Sequence, residues 1–178
     1  MDHYTYHTRL KEIWKKGYDD YQAGGRTPGA YLTNEDQEFL AEIGATQHDV
    51  YDFTDDFICF GAPDWETFWS VQSIRFNYFK QVMKGQPGTY IRPMAEYTPK
   101  DGEIKGISWL PRIIEKAQHK LRGELDPDIM YGCGGDRKFL KNHNLHPAEF
   151  LQLVWNHFED PQAIAQYLKD SSPILQKV

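Results

Sequence analysis

A chain of 178 residues suffices for one ordinary domain or two small lobes. Its 40% apolar and 15% aromatic content, with 11 Tyr, 10 Phe and 5 Trp, can build a packed core and excludes a disordered chain. A net charge of −6 and a pI near 5.6 argue against a nucleic-acid partner, whose affinity comes largely from Lys and Arg neutralising phosphates. No run approaches the ~20 apolar residues that span a bilayer, so no membrane partner is expected. The opening "MDHYTYHTRLKEIW" lacks the basic-then-apolar order of a signal peptide. Two cysteines, Cys59 and Cys133, are too few for a disulfide framework, and a reduced, cytoplasmic setting is the expectation.

In chain order, the first predicted helix carries Leu10, Ile13, Trp14, Tyr18 and Tyr21 on one face at the 3.6-residue period. Its basic stretch "RLKEIWKKG" is diluted by Glu12, Asp19 and Asp20 and reads as a solvated face. A short helix is predicted to start at "DQEFL", with Asp36 as its cap. It closes at Gly44, and Thr46 caps the next helix with Asp49 three positions on. Pro63 opens an aromatic-rich helix over 63–84, whose apolar residues cover more than one face. Residues 85–106 form a turn-rich connector, with Pro87-Gly88, Pro99 and Asp101-Gly102 as turn signals and a short hairpin as an option. A further amphipathic helix carries Leu110, Ile113, Ile114, Ala117 and Leu121. "DRKFL" then starts a short helix capped by Asp136, Asn144 closes it, and Pro147 with Glu149 supports a start after His146, a poorer cap than Thr46. Pro161 opens the last helix, and residues 171–178 are expected to fray.

"DQEFL" and "DRKFL" stand 100 residues apart, and the turns at 44–50 and 144–150 keep the same offset. Upstream, Arg9 and Glu12 share the spacing of Arg112 and Glu115. The expected fold is therefore all-α: two similar four-helix units, at 4–84 and 107–172, joined by the connector and packed around the aromatic helix as one compact domain.

The second unit resembles a known bacterial family, domain of unknown function 5069. The likeness rests on Leu110-Pro111-Arg112 followed by Ile113, Ile114, Glu115 and Lys116, on Tyr131, Cys133 and Asp136 before the short helix, and on Leu145, Glu149 and Phe150. It spans roughly residues 108–170, with a weaker second copy at 4–84. The resemblance implies a small helical fold and brings no reaction, ligand or cofactor with it.

The candidate site residues are Arg9, Arg112, Tyr131, Cys133 and Asp136. A charge at the start of an apolar helix needs a partner. Asp36 or Glu12 is the candidate for Arg9, and Asp136 or Glu115 for Arg112; such clamps would be structural, whereas arginines lining an interlobe cleft would hold an anionic ligand. The glycines of "GCGGD" invite a phosphate-loop reading, but Asp136 would occupy and repel at that helix end. Cys133 lies three residues before Asp136, where a helix N-terminus favours a thiolate. A base for it would have to come from His119 or His157, because His143 and His146 lie beyond the short helix. His143 with His146, and His3 with His7, fall short of the three or four ligands of a metal site. No metal and no cofactor are expected.

The sequence thus favours a non-enzymatic binding or regulatory module for a protein or a small anionic ligand. The alternatives are a small enzyme or redox protein using Cys133, Asp136, Arg112 and Tyr131 in an interlobe pocket, or a structural subunit held as a homodimer.

Overall fold

The computed structural model describes residues 2–171; the expected fraying of the C-terminus lies, beyond Ser171, outside the described residues. The chain is mostly helical and divides into two compact units, Met1–Pro87 and Gly88–Val178.

Unit one holds four helices: α1 (Tyr6–Gln22), α2 (Asn34–Glu42), α3 (Gln47–Phe60) and α4 (Trp65–Gln81). The stripe of α1 buries Leu10 and Ile13, and the helix packs against α3, whose Val50 and Phe53 are also buried. Each such side chain removed from water contributes about 1.5–3 kcal/mol. Phe53 meets Phe68 of α4 with ring centroids 5.1 Å apart. The helix starts follow local chemistry. Thr46 caps α3 in a reciprocal box: its backbone N donates to Asp49 at 2.8 Å, and its hydroxyl accepts from Asp49 N at 3.2 Å. Asp64 caps α4 by accepting from Thr67 N at 2.9 Å, so this helix starts at Trp65 and ends at Gln81, inside the expected 63–84. The turn from α2 to α3 needs a left-handed residue. Gly44 has φ +69°, and a Cβ there would stand 2.6 Å from the Phe79 ring.

Two expected caps are corrected. Asp36 is the third residue of α2, not its N-cap; Thr33 fills that place, and Asp36 completes the box from inside the first turn. Asp136 is likewise the third residue of α6 (Gly134–Asn142), with Cys133 at the cap position. The physical reason is the same in both: a carboxylate one turn in can reach back to an amide preceding the helix.

Unit two begins before its first helix. Arg92 bridges in parallel to Leu125, its N–H donating to Glu124 O at 3.0 Å, and Asp126 accepts from Met94 N at 2.9 Å. A 3₁₀ turn at Met94–Glu96 leads to buried Tyr97, and a two-stranded hairpin follows, β1 (Glu103–Ile104) against β2 (Ile107–Ser108). Trp109 then turns the chain with φ +71°, a conformation that strains a bulky residue by roughly 1–3 kcal/mol. Its indole lies so close to Gly135 that a Cβ there would come within 2.6 Å of it. Helix α5 (Leu110–Arg122) starts with Pro111 in its first turn and packs against α7 (Pro147–Asn156) and α8 (Pro161–Ser171). Leu110, Ile113, Leu121, Leu140, Phe150 and Ile164 form the fully buried centre of this unit. Asn144, φ +53°, makes the left-handed turn between α6 and α7.

Candidate functional site

Each unit buries one carboxylate at the start of its short helix. Asp36 is wholly buried. Its Oδ1 accepts from Arg9 Nη2 at 2.7 Å, and its Oδ2 accepts from Lys16 Nζ at 2.7 Å and from Thr33 N and Oγ1, both at 3.0 Å. Burial alone would raise its pKa, but the hydrogen bonds from Lys16 and Thr33 outweigh it and hold the carboxyl below its ordinary value. Arg9 also reaches Glu12 at 3.3 Å. The arginine thus ties α1 to the first turn of α2.

In unit two the carboxylate in the first turn of the short helix is Asp136, 1% exposed. Its Oδ2 accepts a short hydrogen bond from Lys116 Nζ of α5 and a second, at 3.0 Å, from Gly132 N. Lys116 is itself buried, its ammonium held in the interior by this pairing. The same ammonium stands 3.5 Å from Cys133 Sγ. Asp136 Oδ1 is buried and has no hydrogen-bond partner among the described residues. Cys133 is a free, half-exposed thiol at the cap position of α6, and its side chain makes no capping bond. Tyr131 is buried and donates from its hydroxyl to Pro147 O at 2.6 Å. Burial first, and the charge of Asp136 second, push that phenol well above its ordinary pKa.

The expected pairing of Arg112 is corrected. It meets neither Asp136 nor Glu115; its Nη1 donates to Thr98 O at 3.0 Å and its guanidinium lies 5.5 Å from the Tyr97 ring, which Arg92 also approaches at 4.9 Å. Glu115 accepts instead from Thr98 N and Oγ1, both at 2.8 Å. Of the five sequence candidates, Tyr131, Cys133 and Asp136 come together, Arg9 serves the other carboxylate, and Arg112 braces the segment around Tyr97. His119 is engaged elsewhere: its Nδ1 donates to Glu115 O at 2.6 Å and its ring meets Tyr97. His146 caps α7 by accepting from Ala148 N at Nδ1, 3.1 Å, with Glu149 accepting from His146 N. Among the described residues no group of three or more His, Cys, Asp or Glu side chains converges as metal ligands would.

Sequence reasoning missed the two lysines. Lys16 and Lys116 each precede their aspartate by 20 residues, and that shared spacing was the signal available. It also missed a surface feature of unit one. Between α1 and α3 runs an open groove of about 480 Å³. Trp14 and Tyr18 are stacked along it with centroids 5.8 Å apart, and Phe57 meets both, at 5.6 and 6.2 Å. The four charges that line it, Lys11, Glu12, Lys15 and Asp19, sum to zero. Lys15 pairs with Asp19 at 2.5 Å, Glu12 pairs with Arg9, and Lys11 leans over the Trp65 ring at 5.4 Å. The spacing of Trp14 and Tyr18, four apart on one helix, was visible in the sequence; the partner from α3 was not.

No protein-family model matches the chain, and neither the curated proteins nor the solved structures hold a match. No described helix is long and apolar enough to cross a membrane.

Proposed function

We propose that the protein is a non-enzymatic binding module whose unit one takes an amphipathic helical segment of a protein partner. The observation that carries this reading is the groove between α1 and α3, floored by Trp14, Tyr18 and Phe57. Contiguous aromatic surface with a polar rim is how proteins present a binding face, and Trp and Tyr are over-represented among residues that dominate binding energy. The groove follows α1 from Thr8 to Asp19, a length of about 16 Å at 1.5 Å per residue, which suits two to three turns of a docked helix. Its edge charges sum to zero, so the occupant is held by apolar anchors and not by net charge. A contact of two to three helical turns belongs with weak or transient complexes, which bury less than about 1,200 Å². A small anionic ligand is the weaker choice, because Arg9 and Arg112 are both engaged within the scaffold.

The reading includes an origin. We take the two units as copies of one pattern at a constant offset of 100, from Leu10 and Leu110 through Lys16 and Lys116, Asp36 and Asp136, to Val50 and Phe150. In that register Arg9 corresponds to Trp109, and Arg112 to Glu12. The resemblance of residues 108–170 to domain of unknown function 5069 belongs to the same reading, as does a reducing cytoplasmic setting, which suits the free thiols of Cys59 and Cys133.

The test is selection of 12-residue peptides from a displayed random library on the native chain, followed by titration of the enriched peptides against Tyr18→Ser. Peptides with apolar residues at i, i+3 or i+4 and i+7, whose affinity falls by about tenfold or more in the variant, support the reading; tenfold corresponds to about 1.4 kcal/mol. Enrichment indifferent to Tyr18, or none at all, overturns it. Light scattering of the unliganded chain tells whether the groove is instead occupied by a second copy.

A further inference from the structure

We infer that Cys133 is an oxidation site: a hydroperoxide converts its thiol to a sulfenic acid, and Lys116 holds the oxygen that is added. The inference stands apart from the groove and concerns the other unit.

Two cysteines in one chain allow a direct comparison. Cys59 is exposed, and its Sγ lies 3.4 Å from Asp55 Oδ1 and 3.5 Å from the Tyr21 hydroxyl. Negative charge on that sulfur or on an oxygen attached to it faces a carboxylate. Cys133 is less exposed, but its nearest charged neighbour is the Lys116 ammonium at 3.5 Å. That cation is fixed in place: Lys116 is 4% exposed and is anchored by Asp136. A second cation is close in the chain, since Arg137 Nη1 donates to Gly132 O at 2.7 Å. Cys133 also occupies the cap position of the nine-residue helix α6, where unbonded first-turn amides attract negative charge. A cation held beside the sulfur and partial exposure are features of reactive thiols. Asp136 Oδ1, buried and without a hydrogen-bond partner among the described residues, is an unsatisfied acceptor in the same cluster.

The step balances with the oxidant named. A sulfur electron pair attacks the outer oxygen of R–O–O–H, the S–O bond forms as O–O breaks, and the thiol proton ends on the departing RO⁻. The products are Cys133–S–O–H and R–O–H, with sulfur oxidised by two electrons and the peroxide reduced by two. The product stands on the first, reversible rung of cysteine oxidation.

The experiment treats the full chain with equimolar hydrogen peroxide in the presence of dimedone, which traps sulfenic acid, and follows adducts by peptide mapping. The expected result is labelling of Cys133 several times faster than of Cys59, against the order of their exposure. Lys116→Arg, which keeps the cation, should retain that preference. The double variant Lys116→Met with Asp136→Asn removes both charges without leaving either unpaired, and should lose it while far-UV circular dichroism stays unchanged. Equal labelling of the two cysteines, preference for Cys59, no adduct at all, or an unaltered Cys133 rate in the folded double variant overturns the inference.

Discussion

Lys116→Met is the most informative single change in unit two. Methionine keeps the apolar stem of the lysine and removes only its charge, so packing along α5 is disturbed little. What remains is Asp136, 1% exposed, with Gly132 N at 3.0 Å as its one donor among the described residues besides the lost ammonium. Breaking a buried ion pair by deleting one partner costs about 3–5 kcal/mol, because the other charge is left uncompensated. For a chain of this length each kcal/mol moves the midpoint by roughly 2–4 °C, so the melting temperature should fall by about 6–20 °C. Urea titration followed by circular dichroism at pH 7 measures the free energy, and calorimetry measures the midpoint.

The charge argument is isolated by a cycle. Asp136→Asn added to Lys116→Met removes the stranded charge and should recover half or more of the loss, giving a coupling energy between the two sites of about 0.5–3 kcal/mol. Lys16→Met in unit one should cost less than half as much. Its side chain is 40% exposed, so solvent screens the pair, and Asp36 keeps Arg9. A Lys116→Met protein within about 0.5 kcal/mol of the parent, the range of an ordinary surface substitution, would refute the reasoning, as would a coupling energy of zero.

Three further outcomes follow from groups already placed. Asp36 has a folded pKa below its ordinary 3.8, so its stabilising contribution is complete above that value and is lost as pH falls through the folded pKa; Asp36→Asn should lower stability at pH 7 and flatten the acid limb of a urea midpoint-versus-pH profile. His143 is depressed by burial, so the unfolded chain takes up its proton first and stability declines as pH drops below about 6.5 toward the folded value; His143→Ile, the residue at position 43, should remove that decline in the same profile. Gln72 is 3% exposed, and neither its Oε1 nor its Nε2 has a hydrogen-bond partner among the described residues; Gln72→Met, similar in volume, should raise the calorimetric midpoint by relieving a cost of about 1–3 kcal/mol.

What was legible in the sequence was what local chemistry decides. The periodic faces of α1 and α5, the Thr46–Asp49 box and the left-handed turns at Gly44 and Asn144 all depend on residues within a few positions of one another. The cap of α2 was equally local, since Thr33-Asn34-Glu35-Asp36 has the spacing of a capping box, but the repeated Asp drew the helix start three residues too far. The carboxylate partners were a different matter. Lys116 sits between Ile113, Ile114 and Ala117 on the apolar face, where a lone lysine reads as solvated. Its partner lies 20 residues away across a loop, and no periodicity encodes that contact. Arg112 was expected to pair with Asp136 or Glu115 because a charge within an apolar helix face needs a partner, but that need does not name one, and a backbone carbonyl at Thr98 with the Tyr97 ring fills it.

Position 133 shows what unit two forgoes. Thr33, at the cap position of α2, accepts from Asp36 N at 3.2 Å and donates to Asp36 Oδ2, so its hydroxyl serves both ends of the box. Cys133 puts sulfur there, and α6 starts with no side-chain capping bond. Restoring an oxygen at such a position contributes about 0.5–2 kcal/mol, so Cys133→Thr should raise the urea midpoint while abolishing dimedone labelling of unit two. A chain that leaves this stability unused at a half-exposed thiol beside a fixed ammonium fits the trade between function and stability seen where reactivity is kept. A destabilised Cys133→Thr protein would show instead that the sulfur is held for its packing against Lys116, and the case for its reactivity would lose its thermodynamic half.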